Sequence, residues 1–220
     1  MKNIIIKSKN WMLMALFCVL FVFSSCEKLP LQKSYDFEGQ AVDTHVNMNA
    51  WDYMNSRPDV FSSMIEAVNY ADMSSFYSQM DNKYTYLFIN NTGMASYIAR
   101  NGVISINAID VNKVKKMLMY HIIEGEYHAY DRKLPVEPIY VKTLLAGEDG
   151  LLTIKVNKSA AGSIGSPIAN GNIVINLLNS NFLSVSSSSV TSNLMPLNGV
   201  IHVFPSVAYY KRDANYLPAF

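Results

Sequence analysis

The sequence predicts an α+β fold, because two kinds of hydrophobic pattern follow one another along its 220 residues. Up to about His121, apolar residues recur mainly at the three- and four-residue spacing of amphipathic helices. After Gly125, they stand in short runs rich in β-branched residues, which is typical of strands. Helical patterns followed by strand patterns favour α+β over a regularly alternating α/β architecture. Hydrophobic residues make up 50% of the chain and no long repeat is visible, so a single core is expected.

Five helices are predicted before the strand-rich half. The first, around Trp51 and Met54, should end at Arg57, because the residue before a proline is biased away from helical geometry. The second carries Asp59 near its start, where a negative charge suits the helix dipole. Asp110 can cap the fifth helix with its carboxylate. Periodicity places the second helix over Val60 to Val68, the third over Ser74 to Met80, the fourth over Thr92 to Ala99, and the apolar stripe of the fifth over Val111 to His121.

Aromatic and β-branched runs predict the strands. Gly147 to Gly150 has the composition of a hairpin turn between two of them. The stretch from Ser184 to Ser192 is dominated by serine, with Val185 and Val190 as its apolar anchors, so we expect an exposed loop or an edge strand. The predicted strands are Tyr84–Ile89, Ile139–Leu145, Leu151–Asn157, Asn172–Leu178 and Val200–Val207.

The N-terminal segment has the pattern of a bacterial lipoprotein signal. Three lysines precede an apolar run from Trp11 to Phe23, which is too short to cross a bilayer but suits a signal peptide. Two serines then precede Cys26, whose thiol would receive diacylglycerol, with palmitate among the expected acyl chains. An ordinary secretory signal and a short retained anchor are the alternatives. The expected organisation is a signal peptide at 1–25, a tether at 26–46, a domain at 47–210 and a tail at 211–220.

The net charge argues against one class of partner, and the cysteine content argues against a disulfide. Loss of residues 1–25 removes three lysines and no acidic residue, which takes the formal net charge from +1 to −2. This balance and the isolated basic cluster at 113–116 argue against nucleic acid as a partner. Of the two cysteines, Cys18 would leave with the signal and Cys26 would carry lipid, so no disulfide is expected.

Met117 to Gly125, and further along the chain Asn198 to Val203, resemble stretches of the fasciclin (FAS1) family. Met117 to Gly125 contains the Tyr-His pair that this family places at the end of a helix, followed by a strand and a glycine. Asn198 to Val203 reads Asn-Gly-Val-Ile-His-Val and is similar to the family's C-terminal signature. The hairpin beginning at Thr143 lies between them in the family's order. The resemblance covers about Asn47 to Tyr210.

The resemblance implies a wedge of two β-sheets flanked by N-terminal helices, acting as a non-enzymatic adhesion or binding module without a cofactor. Together with the N-terminal pattern, it predicts a single-domain bacterial lipoprotein. We expect it to be anchored through Cys26 in the outer membrane of a Gram-negative cell and exposed at the surface, with an extracellular protein or glycan as its ligand. The residue after Cys26 is Glu27, whereas an aspartate at this position is associated with retention in the inner membrane. This difference favours the outer membrane. The alternatives are a glycan-binding accessory lipoprotein of a polysaccharide-uptake system and a periplasm-facing envelope scaffold.

Two pairs of neighbouring residues, each containing tyrosine, are candidate binding sites. Tyr120 and His121, the family's Tyr-His pair, are either a contact site for a partner or a hydrogen-bonded lock between helix and sheet. Tyr209 and Tyr210 are either a platform for sugar stacking or plain edge packing, because tyrosine combines an apolar ring with a polar tip. For His202, within an apolar strand, a structural role is expected.

A metal site is the third candidate. If residues 124–128 form a strand, Glu124, Glu126 and His128 share one face, because side chains alternate along a strand. Two carboxylates and an imidazole can hold a divalent cation. The alternative is a solvated strand face without any metal.

Overall fold

The computed structural model describes residues 43–129, 134–158, 170–176 and 186–209. The predicted signal peptide, Cys26, most of the tether, Val185, Tyr210 and the C-terminal tail lie outside the described residues. Within these ranges, no helix combines the length and the apolar character needed to cross a membrane.

The helices lie mostly in the N-terminal part of the described chain, as predicted. Their bounds are α1 (Ala50–Ser56), α2 (Pro58–Tyr70), α3 (Ser74–Ser78), α4 (Asn91–Arg100) and α5 (Val111–Tyr120).

Local side chains determine where several helices begin. Asp110 accepts from the Asn112 amide at 2.7 Å, so the predicted cap of α5 is confirmed. Asn49 and Asn90 cap α1 and α4 in the same way, with 2.8 Å to the Asp52 amide and 2.9 Å to the Gly93 amide. The predicted boundary at Arg57 is also confirmed, because Pro58 is the first residue of α2.

The described strands form two four-stranded sheets. They are β1 (Tyr84–Ile89), β2 (Ile122–Glu124), β3 (Ile139–Lys142), β4 (Leu151–Lys158), β5 (Asn170–Ile175), β6 (Ser187–Ser188), β7 (Thr191–Leu194) and β8 (Gly199–Phe204). The first sheet has the order β2-β1-β8-β7, with β1 and β8 parallel. The second has the order β3-β4-β5-β6 and is antiparallel throughout.

The two sheets meet where β2 approaches the end of β3. Ile123 and Thr143 form an isolated antiparallel bridge, and the Leu144 amide donates to Ile122 O at 2.9 Å. The hairpin predicted between β3 and β4 is confirmed, since its turn contains Gly147 to Gly150.

The strand on which the metal site depended is absent, and the anchor role expected for Val190 was wrong. The strand considered at 124–128 ends at Glu124, because Gly125 adopts φ +92° and the residues after it leave the ladder. Val190 is not an anchor: it is 59% exposed, whereas Ser187 and Ser189 are buried. The serines are inside because hydroxyls satisfy buried groups there, for example Ser189 Oγ, which accepts from the Ile173 amide at 2.9 Å. The edge-strand expectation for this stretch is confirmed by β6 and β7.

The core lies where α2 and α3 pack against the central strands of the first sheet. Phe61 of α2 meets Phe88 of β1 edge-on, with ring centroids 5.3 Å apart. Tyr77 of α3 stacks on Tyr86 at 5.5 Å. All six residues of β8 are buried, which is typical of a central parallel strand covered on both faces. The α+β fold with two sheets is therefore confirmed.

Candidate functional site

The Tyr-His pair lies at the end of α5, and both of its side chains are fully buried. The Tyr120 hydroxyl is 3.1 Å from Asn176 Oδ1 and 3.4 Å from Leu151 O, and it donates towards these acceptors. Burial raises the pKa of the Tyr120 phenol above its ordinary value, against the lowering effect of its bond with Asn176. The phenol is therefore neutral and joins α5 to the second sheet.

His121 joins three separate parts of the chain. Its Nδ1 lies 2.7 Å from Met117 O and donates to it, and its Nε2 accepts from the Ala208 amide at 3.0 Å. Its carbonyl oxygen accepts from the Leu87 amide of β1 at 2.9 Å. Burial lowers the pKa of His121 to about 4, although the bond to Met117 O opposes this change. The imidazole is thus neutral, with its proton on Nδ1.

His202 in β8 has the opposite tautomer. Its Nε2 lies 2.7 Å from Tyr127 O and donates to it, while its Nδ1 accepts from the Asn193 amide at 3.2 Å. Burial lowers its pKa to about 4, opposed by the bond to Tyr127 O. The ring ties β7 and the segment after β2 to the central strand, which agrees with the structural role expected for it.

These contacts leave the Tyr-His pair without an exposed surface. Tyr120 and His121 each have hydrogen bonds within the core, which is the arrangement expected for a lock between helix and sheet. In this structure, no ring atom of Tyr120 or His121 is accessible to a partner.

Asn198 was not predicted to be important by itself, although its side chain connects several distant parts of the chain. Its Oδ1 accepts from the Ala50 amide at 2.8 Å. Its Nδ2 is within 2.8 Å of Tyr77 O, 2.9 Å of Gln79 O and 3.0 Å of the Tyr86 hydroxyl. The signal was present, because Asn198 begins the Asn-Gly-Val-Ile-His-Val stretch, but its partners lie far away in sequence.

The metal candidates do not come together. Glu124 ends β2, while Glu126 and His128 follow Gly125 in irregular backbone, so the common strand face on which the site depended is absent. In the part of the chain that the structure describes, no three His, Cys, Asp or Glu side chains are grouped to hold a metal ion.

The C-terminal tyrosines are only partly described. Tyr209 is half-buried, packs against the core, and has Arg100 Cζ 5.5 Å from its ring centroid, so its ring already has a cationic neighbour. Tyr210 lies outside the described residues, as does Cys26.

A surface groove lies beside the seam between the two sheets, and no sequence pattern pointed to it. It has a volume of about 510 Å³, within the range of pockets that hold small ligands or side chains. We call it the hairpin groove. Its principal lining residues are Glu124 at the end of β2 and Lys142, Leu144, Leu145, Glu148 and Leu151 of the β3–β4 hairpin.

Comparison with known proteins identifies the fold. No protein-family model matched the sequence, and no curated protein sequence did so. Among solved structures, the chain is similar to a FAS1 domain pair from the insect cell adhesion molecule fasciclin I, with a TM-score of 0.53 and 13% sequence identity. The match covers 77% of this chain and 53% of the domain pair, so this chain spans about half the length of that structure. At this identity the likeness establishes a FAS1-like fold.

Proposed function

We propose that this FAS1-like chain is a non-enzymatic binding module that mediates adhesion at the bacterial cell envelope. The observation that carries the proposal is the likeness of its fold to a domain pair from a cell adhesion molecule. A fold alone supports many functions, so the proposal also depends on what the individual residues can do.

The two buried histidines of the family-like stretches are placed for a structural role and not for catalysis. His121 and His202 are buried, and both ring nitrogens of each are engaged by backbone groups. A general base must reach the proton that it removes, and neither imidazole has a free nitrogen for this. The buried pair stabilises the scaffold, which leaves loops, sheet edges and grooves to contact a partner.

The N-terminal sequence supports attachment to a membrane. Lipid on Cys26 would hold the domain at the outer membrane, because several acyl chains anchor a protein more firmly than one. The intervening residues would separate the domain from the bilayer. This arrangement suits a module that meets ligands at the cell surface.

Protease treatment of intact cells tests the location. A non-penetrating protease should remove the domain from parent cells, while a periplasmic marker stays intact. Cys26→Ser should release the protein from the membrane fraction. Protection that disappears on permeabilisation would place the domain inside the envelope and overturn the surface-adhesion proposal in favour of an envelope scaffold.

Adhesion itself is tested by attachment of cells to immobilised extracellular proteins and glycans. Cells with the parent chain should attach better than cells without it. Attachment to glycans alone would favour the accessory glycan-binding alternative. That alternative has less support, because Tyr209 is half-buried and already beside Arg100.

A further inference from the structure

We propose that the hairpin groove is a docking site for a protein segment carrying an apolar side chain next to a lysine or arginine. This inference rests on the proposed binding function and names the chemistry of the partner at one site.

The floor of the groove is apolar and accessible. Leu144 and Leu145 are half-buried, and Leu151 keeps 39% of its surface exposed although it lies in a strand. Three neighbouring leucines that are not fully covered favour an apolar side chain of similar size, because its burial removes apolar surface from water on both partners.

The wall of the groove is held in one conformation. The Thr143 hydroxyl is buried, donates to Gly150 O at 2.8 Å and accepts from the Leu145 amide at 3.3 Å. A Cβ at Gly150 would lie 1.6 Å from Leu145 O, so glycine is required for this close backbone approach. A rigid wall lowers the ordering cost of binding.

The charges on the rim select a cationic partner. Glu124 and Glu148 are exposed, and Lys142 is the basic residue among those lining the groove. None of these three side chains has an ion pair or hydrogen bond with another residue in the described ranges. Two carboxylates against one ammonium leave a negative excess, which attracts lysine or arginine and repels anionic lipid or nucleic acid.

The lining also distinguishes a protein from a glycan. The described residues that line the groove include no aromatic ring, so a sugar has no stacking platform there. An extended peptide needs only an apolar floor and charges near its flanking side chains, and the groove provides both.

Methyl NMR of the full chain in detergent micelles tests the proposal directly. The probe is the peptide acetyl-Gly-Lys-Leu-Val-Lys-Gly-amide, and its partner probe has glutamate in place of both lysines. The basic peptide should shift the methyl resonances of Leu144, Leu145 and Leu151 in a saturable manner. The acidic peptide should bind at least tenfold more weakly. Equal responses to the two peptides, or no response of these methyls to the basic one, would overturn the proposal.

Matched variants locate the binding. Glu148→Lys should weaken the basic peptide at least tenfold, whereas Asp81→Lys, with the same charge change on an exposed turn elsewhere, should not. Leu151→Asp should abolish binding, whereas Ile104→Asp should not, because Ile104 is fully exposed and lies outside the groove. Unchanged thermal transitions show that the variants fold, and equal binding by Glu148→Lys and the parent chain would contradict the inference.

The adhesion assay separates this inference from the broader proposal. If cells carrying Glu148→Lys attach as well as parent cells and the basic peptide does not bind, the groove inference fails while adhesion stands. If parent cells do not attach at all, the proposed function fails, and the peptide titration still decides whether the groove binds.

Discussion

The Ala208 amide donates to His121 Nε2 at 3.0 Å, which ties the end of the described C-terminal segment to the end of α5 across 87 positions of sequence. The bond requires an unprotonated Nε2, because the Ala208 amide can only donate; the ring proton is on Nδ1, which donates to Met117 O. Protonation would place an N–H donor against the Ala208 N–H donor. The same conflict would arise between His202 Nδ1 and the Asn193 amide.

Stability should therefore fall on acidification. Burial holds the pKa of both imidazoles at about 4, below the ordinary value of 6.5. Between these values the unfolded chain binds protons that the folded chain does not, so the stabilisation is complete above about pH 6.5 and is lost as the pH falls towards 4. Each imidazole contributes up to about 3 kcal/mol. Urea denaturation followed by circular dichroism at several pH values measures this loss.

Two substitutions isolate the histidine contribution from that of the carboxylates. His121→Gln should reduce the dependence of the unfolding free energy on pH, because it removes one titrating group. His202→Gln should reduce the dependence for the same reason, because burial also lowers the pKa of His202. A pH dependence that is identical in His121→Gln and the parent chain would contradict the prediction.

Asn198→Ala should be strongly destabilising. The change removes the partner of the Ala50 amide and of the Tyr77 and Gln79 carbonyl oxygens, while the Tyr86 hydroxyl keeps its bond to Phe76 O. Each unsatisfied buried group costs about 1–3 kcal/mol, so we expect a total loss of about 3 kcal/mol or more. Urea denaturation checks it. Asn47→Ala, at an exposed position, should change the free energy by less than about 0.5 kcal/mol.

Gly199→Ala should be far more damaging than Gly102→Ala. Gly199 has φ +151°, and a Cβ there would lie 1.9 Å from Tyr84 O across the β1–β8 ladder. Separation of these strands should cost about 3 kcal/mol or more. Gly102 has φ +69° with no atom within 4 Å of its Cβ position, so alanine there costs only backbone strain of about 1–2 kcal/mol. Comparable melting temperatures for the two variants would refute this ranking.

Met64→Leu should lower the free energy of unfolding by more than the similar volumes of methionine and leucine imply. The Met64 sulfur accepts from the Ile89 amide at 3.1 Å inside the core, and leucine cannot accept a hydrogen bond. We expect about 1–3 kcal/mol from the unsatisfied amide, in addition to a repacking cost below about 1.5 kcal/mol. Met73→Leu is the control, because Met73 is equally buried and no side-chain hydrogen bond involves it among the described residues. Thermal unfolding and hydrogen exchange at the Ile89 amide measure the difference, and equal effects would count against the prediction.

The local features of the fold were predictable because they depend on residues close in sequence. Residues only a few positions apart in the sequence determine the Asp110 cap, the boundary at Pro58 and the turn at Gly147 to Gly150. No strand covers residues 124–128, because β2 ends at Glu124 and Gly125 adopts φ +92°. The burial of Ser187 in β6 and of Ser189 just after it was missed, because it depends on the Ser206 hydroxyl and the Ile173 amide in other segments.

The sequence by itself determined the fold class, most element positions and the resemblance carried by the Tyr-His and Asn-Gly-Val-Ile-His-Val stretches. Only the tertiary structure decided what those residues do. Asn198 reaches a partner 148 positions away, and the tautomers of His121 and His202 follow from backbone groups supplied by other segments. The hairpin groove likewise exists only where two sheets meet at Ile123 and Thr143. Pattern within a short window reports local geometry, whereas burial and hydrogen-bond partners are properties of the packed chain.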